Sequence, residues 1–283
     1  MKELLNKTIP TSSSIVILLP EEADVDLYAT ASVLYTYILQ LHKKVALVSK
    51  TEIDKKYFVI PWIQKAKKTV PNKSDLLLTC KSETPSKEAI VLQKYKNNNA
   101  ISLTQIVFEA MKSLHVKINP KMATALYSGI FKGSDPFLSL KTDGTIFAFA
   151  KELIELGANH RDVVKYLQKY STLSQVRLLG AMLLEMQLLQ EATIAFFDVS
   201  YEMLQKYGAS WNDCEGAMEK ALELPTVRFA VLAVQMEDLH VRIFLKDTES
   251  FFCIEEFSKE VSSKEVQEKI LTKVREIEKE KSK

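Results

Sequence analysis

The chain has 283 residues, of which 47% are hydrophobic and 26% charged, and its 38 basic and 36 acidic residues leave a net charge of +2. These values are ordinary for a globular protein of one large or two medium domains, and they give no global electrostatic argument for binding nucleic acid or a membrane. No apolar run reaches the roughly 18 residues that a membrane span needs, and the first residues lack the apolar core of a signal peptide. A cytoplasmic protein without membrane contact is therefore expected.

Cysteine, glycine and histidine usage excludes several common kinds of site. Cys80, Cys214 and Cys253 lie far apart without a C-x-x-C pair, which favours buried reduced thiols over a disulfide framework or a zinc site. The seven glycines form no phosphate-binding loop pattern. Each of the four histidines stands alone in sequence and is expected at the surface or at a helix end.

The first recognisable element is a short apolar run at residues 15–19, which predicts a buried strand. Asp24 and Asp26 follow it, and a mostly apolar helix is predicted over residues 27–42. Two carboxylates thus lie where the first strand meets a helix, at the edge of an open α/β sheet where ligands bind. Carboxylate oxygens at such a place suit Mg²⁺ or Mn²⁺.

A second interpretation of the same two acids remains open. Acidic residues are favoured in the first turn of any helix, because they accept hydrogen bonds from its free N–H groups and complement its dipole. The spacing of Asp24 and Asp26 alone therefore does not establish a metal site.

The rest of the chain alternates strands and helices and then changes pattern. Short apolar strands separated by helices predict a parallel, doubly wound sheet, and the later strands predict a second, smaller α/β domain. A turn at residues 236–238 joins the last two predicted strands. The predicted strands are 44–48, 75–80, 89–93, 193–199, 227–235 and 239–245, and the predicted helices are 104–114, 120–131, 144–157, 160–170, 173–189, 200–208 and 211–222.

Four segments follow from this pattern. They are an N-terminal domain at 1–172, a connecting helix at 173–190, a second domain at 191–254 and a charged amphipathic helix at 255–283. The last segment places Val266, Ile270, Val274 and Ile277 on one stripe, which predicts a helix over about residues 263–278. That stripe packs either on the second domain or on another chain.

The stretch around Asp24 resembles the first motif of the DHH phosphoesterases, in particular of the nanoRNase and phosphoadenosine-phosphate phosphatase branch. In that family the motif is His-x-Asn-Pro-Asp-Gly-Asp. The positions of its His, Asn, Pro and two Asp residues are occupied here by Pro20, Glu22, Ala23, Asp24 and Asp26. The two acids match, whereas the proline at the histidine position has no side chain that can bind a metal.

Further matches follow in the same order as in the family, over roughly residues 12–247. The segment 123–137, ATALYSGIFKGSDPF, resembles a helix of the first domain, and residues 150–183 resemble the helical stretch that joins the two domains. Residues 193–216 resemble the start of the second domain, including its Asp-x-Glu-Gly at Asp213, Glu215 and Gly216. The resemblance implies a two-domain α/β fold and a former two-metal phosphoesterase site.

The remaining metal-binding motifs of the family are missing at the matching positions. Lys81 stands where the second motif has Asp, and Gln93, Lys94 and Tyr95 stand where the third has Asp-His-His. Gly133 takes the place of the Asp in the fourth motif, and Asp135 comes two residues late. Lysine cannot coordinate a cation and repels it, so Lys81 and Lys94 are expected either to pair with the two aspartates or to be solvated.

The combined evidence predicts a non-catalytic DHH-phosphoesterase-like protein without a metal cofactor. It would bind a protein partner, a second copy of itself or a nucleotide-like anion. One alternative is a phosphoesterase that uses Mn²⁺ or Mg²⁺ at Asp24 and Asp26 and acts on short oligonucleotides or phosphorylated nucleotides. Another is a protein that binds single-stranded nucleic acid, although the basic balance and interleaved aromatics typical of such proteins are absent.

Overall fold

The computed structural model describes residues 1–21, 23–71, 74–80, 89–92, 100–238, 240–247 and, as backbone only, 251–257. The chain divides into two compact units, Met1–Tyr170 and Ser171–Lys283. The division falls directly before the segment that the sequence analysis assigned to a connecting helix. Each unit has its own sheet and its own core.

The sheet of the first unit is parallel, as predicted. Its strands are β1 (Ser14–Leu19), β2 (Lys44–Ser49), β3 (Leu76–Thr79) and β4 (Ala89–Val91), in the order β2-β1-β3-β4. Ile17 of the central strand β1 pairs with Leu47 and Leu78. Both faces of β1 are buried, which explains why it reads as an uninterrupted apolar run instead of an alternating pattern.

The helices of the first unit begin at side-chain caps that the sequence supplies. Asp24, Ser102, Asn119, Asp143 and Asn159 each accept a hydrogen bond from a backbone N–H in the first turn of the helix that follows. The helices are α2 (Val25–Gln40), α3 (Leu103–Ser113), α4 (Pro120–Gly133), α5 (Gly144–Glu155) and α6 (His160–Gln168). Their buried faces form one apolar core with the sheet.

The N-terminal residues form a structure that the sequence analysis did not predict. Leu4–Thr8 make a π-helical turn that continues into a short helix α1 (Ile9–Thr11). Leu5 and Ile9 are fully buried, and the Tyr37 hydroxyl donates a hydrogen bond of 2.9 Å to the Leu5 carbonyl. The apolar residues of this segment therefore belong to the core of the first unit.

The second unit has a mixed sheet of five strands in sequence order. These are β5 (Gln187–Leu189), β6 (Ile194–Val199), β7 (Phe229–Gln235), β8 (Val241–Lys246) and β9 (Phe251–Phe257). Strands β6 and β7 are parallel, and the other neighbours are antiparallel. Its helices are α7 (Leu173–Glu185), α8 (Tyr201–Tyr207) and α9 (Glu215–Leu222), the last preceded by a 3-10 turn at Trp211–Cys214.

The predicted helix over residues 173–189 is wrong at its C-terminal end. Helix α7 ends at Glu185, because Met186 is extended and Gln187–Leu189 pair with β6 as β5. A turn of three residues in the left-handed region, Gln190, Glu191 and Ala192, reverses the chain. Strand pairing thus overrides the helical preference of a Leu- and Met-rich stretch.

The C-terminal prediction lies almost entirely outside the described residues. The predicted helix over about residues 263–278 and the destination of its apolar stripe stay predictions. Strand β9 takes in residues 255–257, at the start of the segment assigned to that helix. Within the described part of the chain, no helix is both long and apolar enough to cross a membrane.

The contact between α3 and α4 provides a test of this packing. A Cβ built on Gly129 would overlap the Thr104 side chain and lie 2.8 Å from its Cβ. We therefore expect Gly129→Ala to lower the free energy of unfolding by about 2 kcal/mol, because the two helices must separate. Urea denaturation measures the change. Gly216→Ala is the matched control, since a Cβ there meets nothing within 4 Å, and an equal loss in both variants would contradict the prediction.

Candidate functional site

Asp24 and Asp26 both lie just beyond the carboxyl end of β1, as the sequence analysis expected. Asp24 is exposed and caps its own helix, because its Oδ1 accepts a hydrogen bond of 2.8 Å from the Leu27 N–H. This is the local role that any acid at a helix start can take, and it holds one carboxylate oxygen against the backbone of α2. The capping interpretation therefore accounts for Asp24.

Asp26 has a different and less local role. Its side chain is buried and its carboxylate meets the first turn of α3, which lies 77 residues further along the chain. Asp26 Oδ2 accepts a hydrogen bond of 2.6 Å from the Leu103 N–H, and Oδ1 accepts bonds of 2.9 Å from the Thr104 N–H and 2.8 Å from the Thr104 hydroxyl. The carboxylate thus acts as the anion at the N-terminus of α3, where free N–H groups and the helix dipole favour negative charge.

A short chain of hydroxyl groups supports this contact. The Thr104 hydroxyl, which donates to Asp26, lies 2.8 Å from the Ser102 hydroxyl, and Ser102 Oγ accepts a bond of 3.1 Å from the Gln105 N–H. Ser102 and Thr104 are fully buried. Gly129 of α4 packs on the Thr104 side chain so closely that a Cβ at position 129 would overlap it. The donors are therefore held in place from two sides.

Burial sets the electrostatics of this region. It raises the pKa of Asp26, the hydrogen bonds from Leu103 and Thr104 oppose that rise, and the charge of Asp24 adds to it. Burial also raises the pKa of the Cys80 thiol to about 12, with further contributions from the charges of Asp24 and Asp26. Cys80, directly after β3, is thus a buried, neutral thiol near the two acids.

The position that matches the family's fourth acidic motif is occupied by a glycine for a packing reason. A Cβ on Gly133 would lie 2.8 Å from Ser102 Cβ and 3.1 Å from the Ile101 carbonyl oxygen. Any side chain at this position would therefore require Ile101 and Ser102, just before α3, to shift.

Asp135 does not supply the acid that is missing at position 133 in the described structure. It is exposed, it lies in the turn after α4 with a left-handed φ of 46°, and its N–H donates to the Lys132 carbonyl. Lys81, Gln93, Lys94 and Tyr95 lie outside the described residues. Their proximity to Asp24 and Asp26 stays a prediction.

The described side chains do not fit the pair of divalent cations that the family resemblance implies. Such a site needs several carboxylates and imidazoles to hold two cations about 3.5–4 Å apart. Asp26 is engaged by α3, Asp24 caps α2, and Gly133 has no side chain. Among the residues that the structure describes, no three His, Cys, Asp or Glu side chains come together as a metal site would require.

One cavity of the first unit lies at the other end of α2. It has a volume of about 490 Å³ and starts at Thr36, about 15 Å along the helix axis from Asp26. The indole of Trp62 forms one wall, held by a hydrogen bond of 3.0 Å from its Nε1 to the Thr36 hydroxyl. The lining residues are Thr36, Leu39, Gln40, Trp62, Asn119, Pro120 and Lys121.

Comparison with known proteins places the fold. No protein-family model matches the sequence, and no curated protein matches it significantly. Among solved structures, an exopolyphosphatase-related protein from Bacteroides fragilis superimposes with a TM-score of 0.81 at 15% identity, over 98% of this chain and 96% of the other. RecJ from Thermus thermophilus in complex with Mn²⁺ gives a TM-score of 0.44 at 11% identity, over 87% of this chain and 46% of the other.

A proposed family II inorganic pyrophosphatase from Methanococcus jannaschii gives a TM-score of 0.40 at 12% identity, over 83% of this chain and 88% of the other. The superposition on the Bacteroides fragilis protein extends over nearly the whole of both chains. The chain therefore has the two-domain α/β fold of the DHH phosphoesterases, with one parallel sheet and one mixed sheet. This confirms the predicted fold class.

The sequence analysis missed the residues that engage Asp26. The pattern Ser102-x-x-Gln105 signals a helix start, and it could have located the donors of Leu103 and Thr104. No local signal connects that helix start to an acid 77 residues earlier. The tie between α2 and α3 therefore became visible only in the structure.

The hydrogen bonds between Asp26 and the start of α3 predict that removing the Asp26 carboxylate strongly destabilises the fold. Asp26→Ala leaves the N–H groups of Leu103 and Thr104 buried without their acceptor, which should cost about 3 kcal/mol of unfolding free energy. Asp24→Ala removes only an exposed helix cap and should cost about 1 kcal/mol. Chemical denaturation of both variants measures the difference. Equal and small losses would contradict the structural role of Asp26.

The Asp26→Ala variant also tests the direction in which the Asp26 pKa is shifted. Because that pKa is raised in the folded chain, the folded state takes up a proton at a higher pH than the unfolded state does. The stability that this residue contributes is then complete below its ordinary pKa and is lost as pH rises through the folded value. The free-energy difference between wild type and Asp26→Ala should therefore grow as the pH is lowered from neutral towards the ordinary carboxyl pKa, whereas a difference that shrinks would indicate a lowered pKa.

Proposed function

We propose that this protein is a non-catalytic DHH-phosphoesterase-like protein that acts by binding. The observation that carries the proposal is the Asp26 carboxylate, whose two oxygens accept three hydrogen bonds from the start of α3. A carboxylate that balances a buried helix terminus cannot move to a cation without leaving those donors unpaired. Leaving a buried N–H donor without its acceptor costs about 1–3 kcal/mol.

The lack of space for a side chain at Gly133 supports the same proposal independently. Restoring an acid there requires the backbone around Ile101 and Ser102 to shift, and that segment is the start of α3. The chain thus lacks room for the fourth metal ligand and uses one of the first two for packing. Both features concern the same helix start.

The binding partner is a protein or a nucleotide-like anion. The groove at Trp62 favours the second, because Lys121 Nζ lies 4.1 Å and Lys65 Nζ 4.9 Å from the indole centroid. Both ammonium groups lie over the indole ring and give this place positive charge, which suits the phosphate of a nucleotide-like anion. Trp62 also has a left-handed φ of 71°, a strained conformation for a bulky residue of the kind that clusters at functional sites.

The proposal predicts no metal-stimulated hydrolysis. Wild-type protein should give no saturable heat with Mn²⁺ or Mg²⁺ in calorimetric titration. It should also show no cleavage of a generic phosphodiester or of short oligonucleotides above a protein-free blank. Titration of a nucleoside monophosphate and a short oligonucleotide, with Trp62→Ala as the comparison, tests the groove in the same experiment.

Asp24→Asn is the matched control for the metal question. Asparagine caps a helix as well as aspartate does, so this variant keeps the fold and removes the charge. Hydrolysis that rises with Mn²⁺ in the wild type and disappears in Asp24→Asn would instead establish the metal-dependent phosphoesterase alternative. Oligonucleotide binding without hydrolysis would favour a single-strand binding protein.

A further inference from the structure

The sheet of the second unit has two apolar faces, and the helices α7, α8 and α9 pack against one of them. On that face, Phe197 of β6 and Leu232 of β7 belong to one core cluster with apolar side chains of all three helices. A sheet whose other face meets water alternates apolar and polar residues along each strand. The stretch Phe229–Gln235, FAVLAVQ, has no such alternation, which indicates that both of its faces are covered.

The other face of this sheet is indeed buried. Phe196, Val231 and Leu245 lie side by side on β6, β7 and β8, and none of them is more than 1% exposed. They belong to a separate core cluster, which we call the second sheet face. Its members are Ile194, Phe196, Phe229, Val231, Ala233, Ile243 and Leu245.

Within the described part of the chain, the apolar side chains that pack against the second sheet face come from the same sheet. They are Leu189 of β5 and Val241 of β8. Neighbouring strands lie in the plane of the sheet, whereas side chains stand perpendicular to it. Strands alone therefore cannot bury a phenylalanine as completely as Phe196 is buried, and a further layer must lie on this face.

Residues 258–283 are the part of the second unit that is long enough to form that layer. The unit extends to Lys283. Outside its described residues it otherwise contains only position 239 and positions 248–250. Three consecutive residues cannot cover three strands that are about 4.8 Å apart.

The length of this segment and the place where it starts fit the second sheet face. Strand β9 lies at the edge of the sheet and ends at Phe257, which pairs with Val241 at the start of β8. Residues 258–262 can span about 17 Å, enough to reach a helix layer about 10 Å above the sheet. A helix over residues 263–278 would be about 24 Å long. Strands of six and seven residues, such as β8 and β7, are about 20–23 Å long.

The residue pattern of the segment fits as well. Val266, Ile270, Val274 and Ile277 lie on one stripe of the predicted helix, and most of the remaining residues are Lys and Glu. Such a helix has one side suited to an apolar surface and another suited to water. Its contact with the second sheet face would remove two apolar surfaces from water at once.

We propose that residues 263–278 form a helix that lies on the second sheet face, with its apolar stripe towards the sheet. The second unit then has three layers, in which the mixed sheet lies between α7, α8 and α9 on one side and the C-terminal helix on the other. The stripe is occupied within its own chain, and so it does not serve as a docking helix for a partner. This inference is independent of the function proposed above.

Photo-crosslinking in the full-length chain tests the contact. Val274 of the stripe is replaced by p-benzoylphenylalanine in one variant, and Thr272, on the opposite side of the same helix, is replaced in the control. Mass spectrometry should find position 274 joined to peptides of β6, β7 or β8 of the same chain, and position 272 should give no such product. A crosslinked dimer, a product outside this sheet, or no product from position 274 would overturn the proposal.

A charge in the stripe gives a second test. Trp211 stacks on Phe244 of β8, with ring centroids 4.9 Å apart, so its fluorescence reports on the second unit. In a Trp62→Phe background, Trp211 is the single tryptophan of the chain.

In that background, Ile270→Asp should lower the midpoint of thermal unfolding of the second unit by about 5 °C or more, because a carboxylate enters an apolar contact. Thr272→Asp introduces the same group on the solvent side and should change the midpoint by no more than about 2 °C. Shifts of equal size in the two variants would overturn the proposal, since they would show that the stripe meets water as the opposite side does.

Discussion

The contact between the Asp26 carboxylate and the start of α3 joins three parts of the first unit that are distant in sequence. Strand β1 ends just before Asp26, and Asp26 lies in the first turn of α2. Its carboxylate accepts hydrogen bonds from the N–H groups at the start of α3. Helix α4 closes the arrangement, because Gly129 lets it approach Thr104. A buried charge is stabilising only when its hydrogen bonds are made, so these elements must keep their relative positions together.

This contact also shows how the fold of the first unit is held by groups of the chain itself. The core of the first unit consists of apolar contacts between the parallel sheet and its helices, and these do not depend on a bound cation. The family resemblance implies that an acid at the position of Asp26 binds metal, whereas here the same acid stabilises a helix N-terminus. Both roles use the preference of a carboxylate for positive charge, and here three hydrogen bonds already take up most of its acceptor sites.

Sequence reasoning located most elements but not the interactions between them. Strands β1 to β3, β6 and β7 follow from short apolar runs, and the caps at Asp24, Asn119 and Asn159 follow from local residue preferences. Strand β5 was missed because its residues are good helix formers that pairing with β6 forces to extend. The partner of Asp26 and the packing reason for Gly133 depend on contacts that no local pattern encodes.

The acids in the second unit are also engaged in structural bonds. Asp213 accepts hydrogen bonds from the Ser210 N–H and from Gln175 Nε2, and Glu215 pairs with Lys246 at 2.6 Å. In both units the acids that the family motifs share with this chain therefore hold the chain itself.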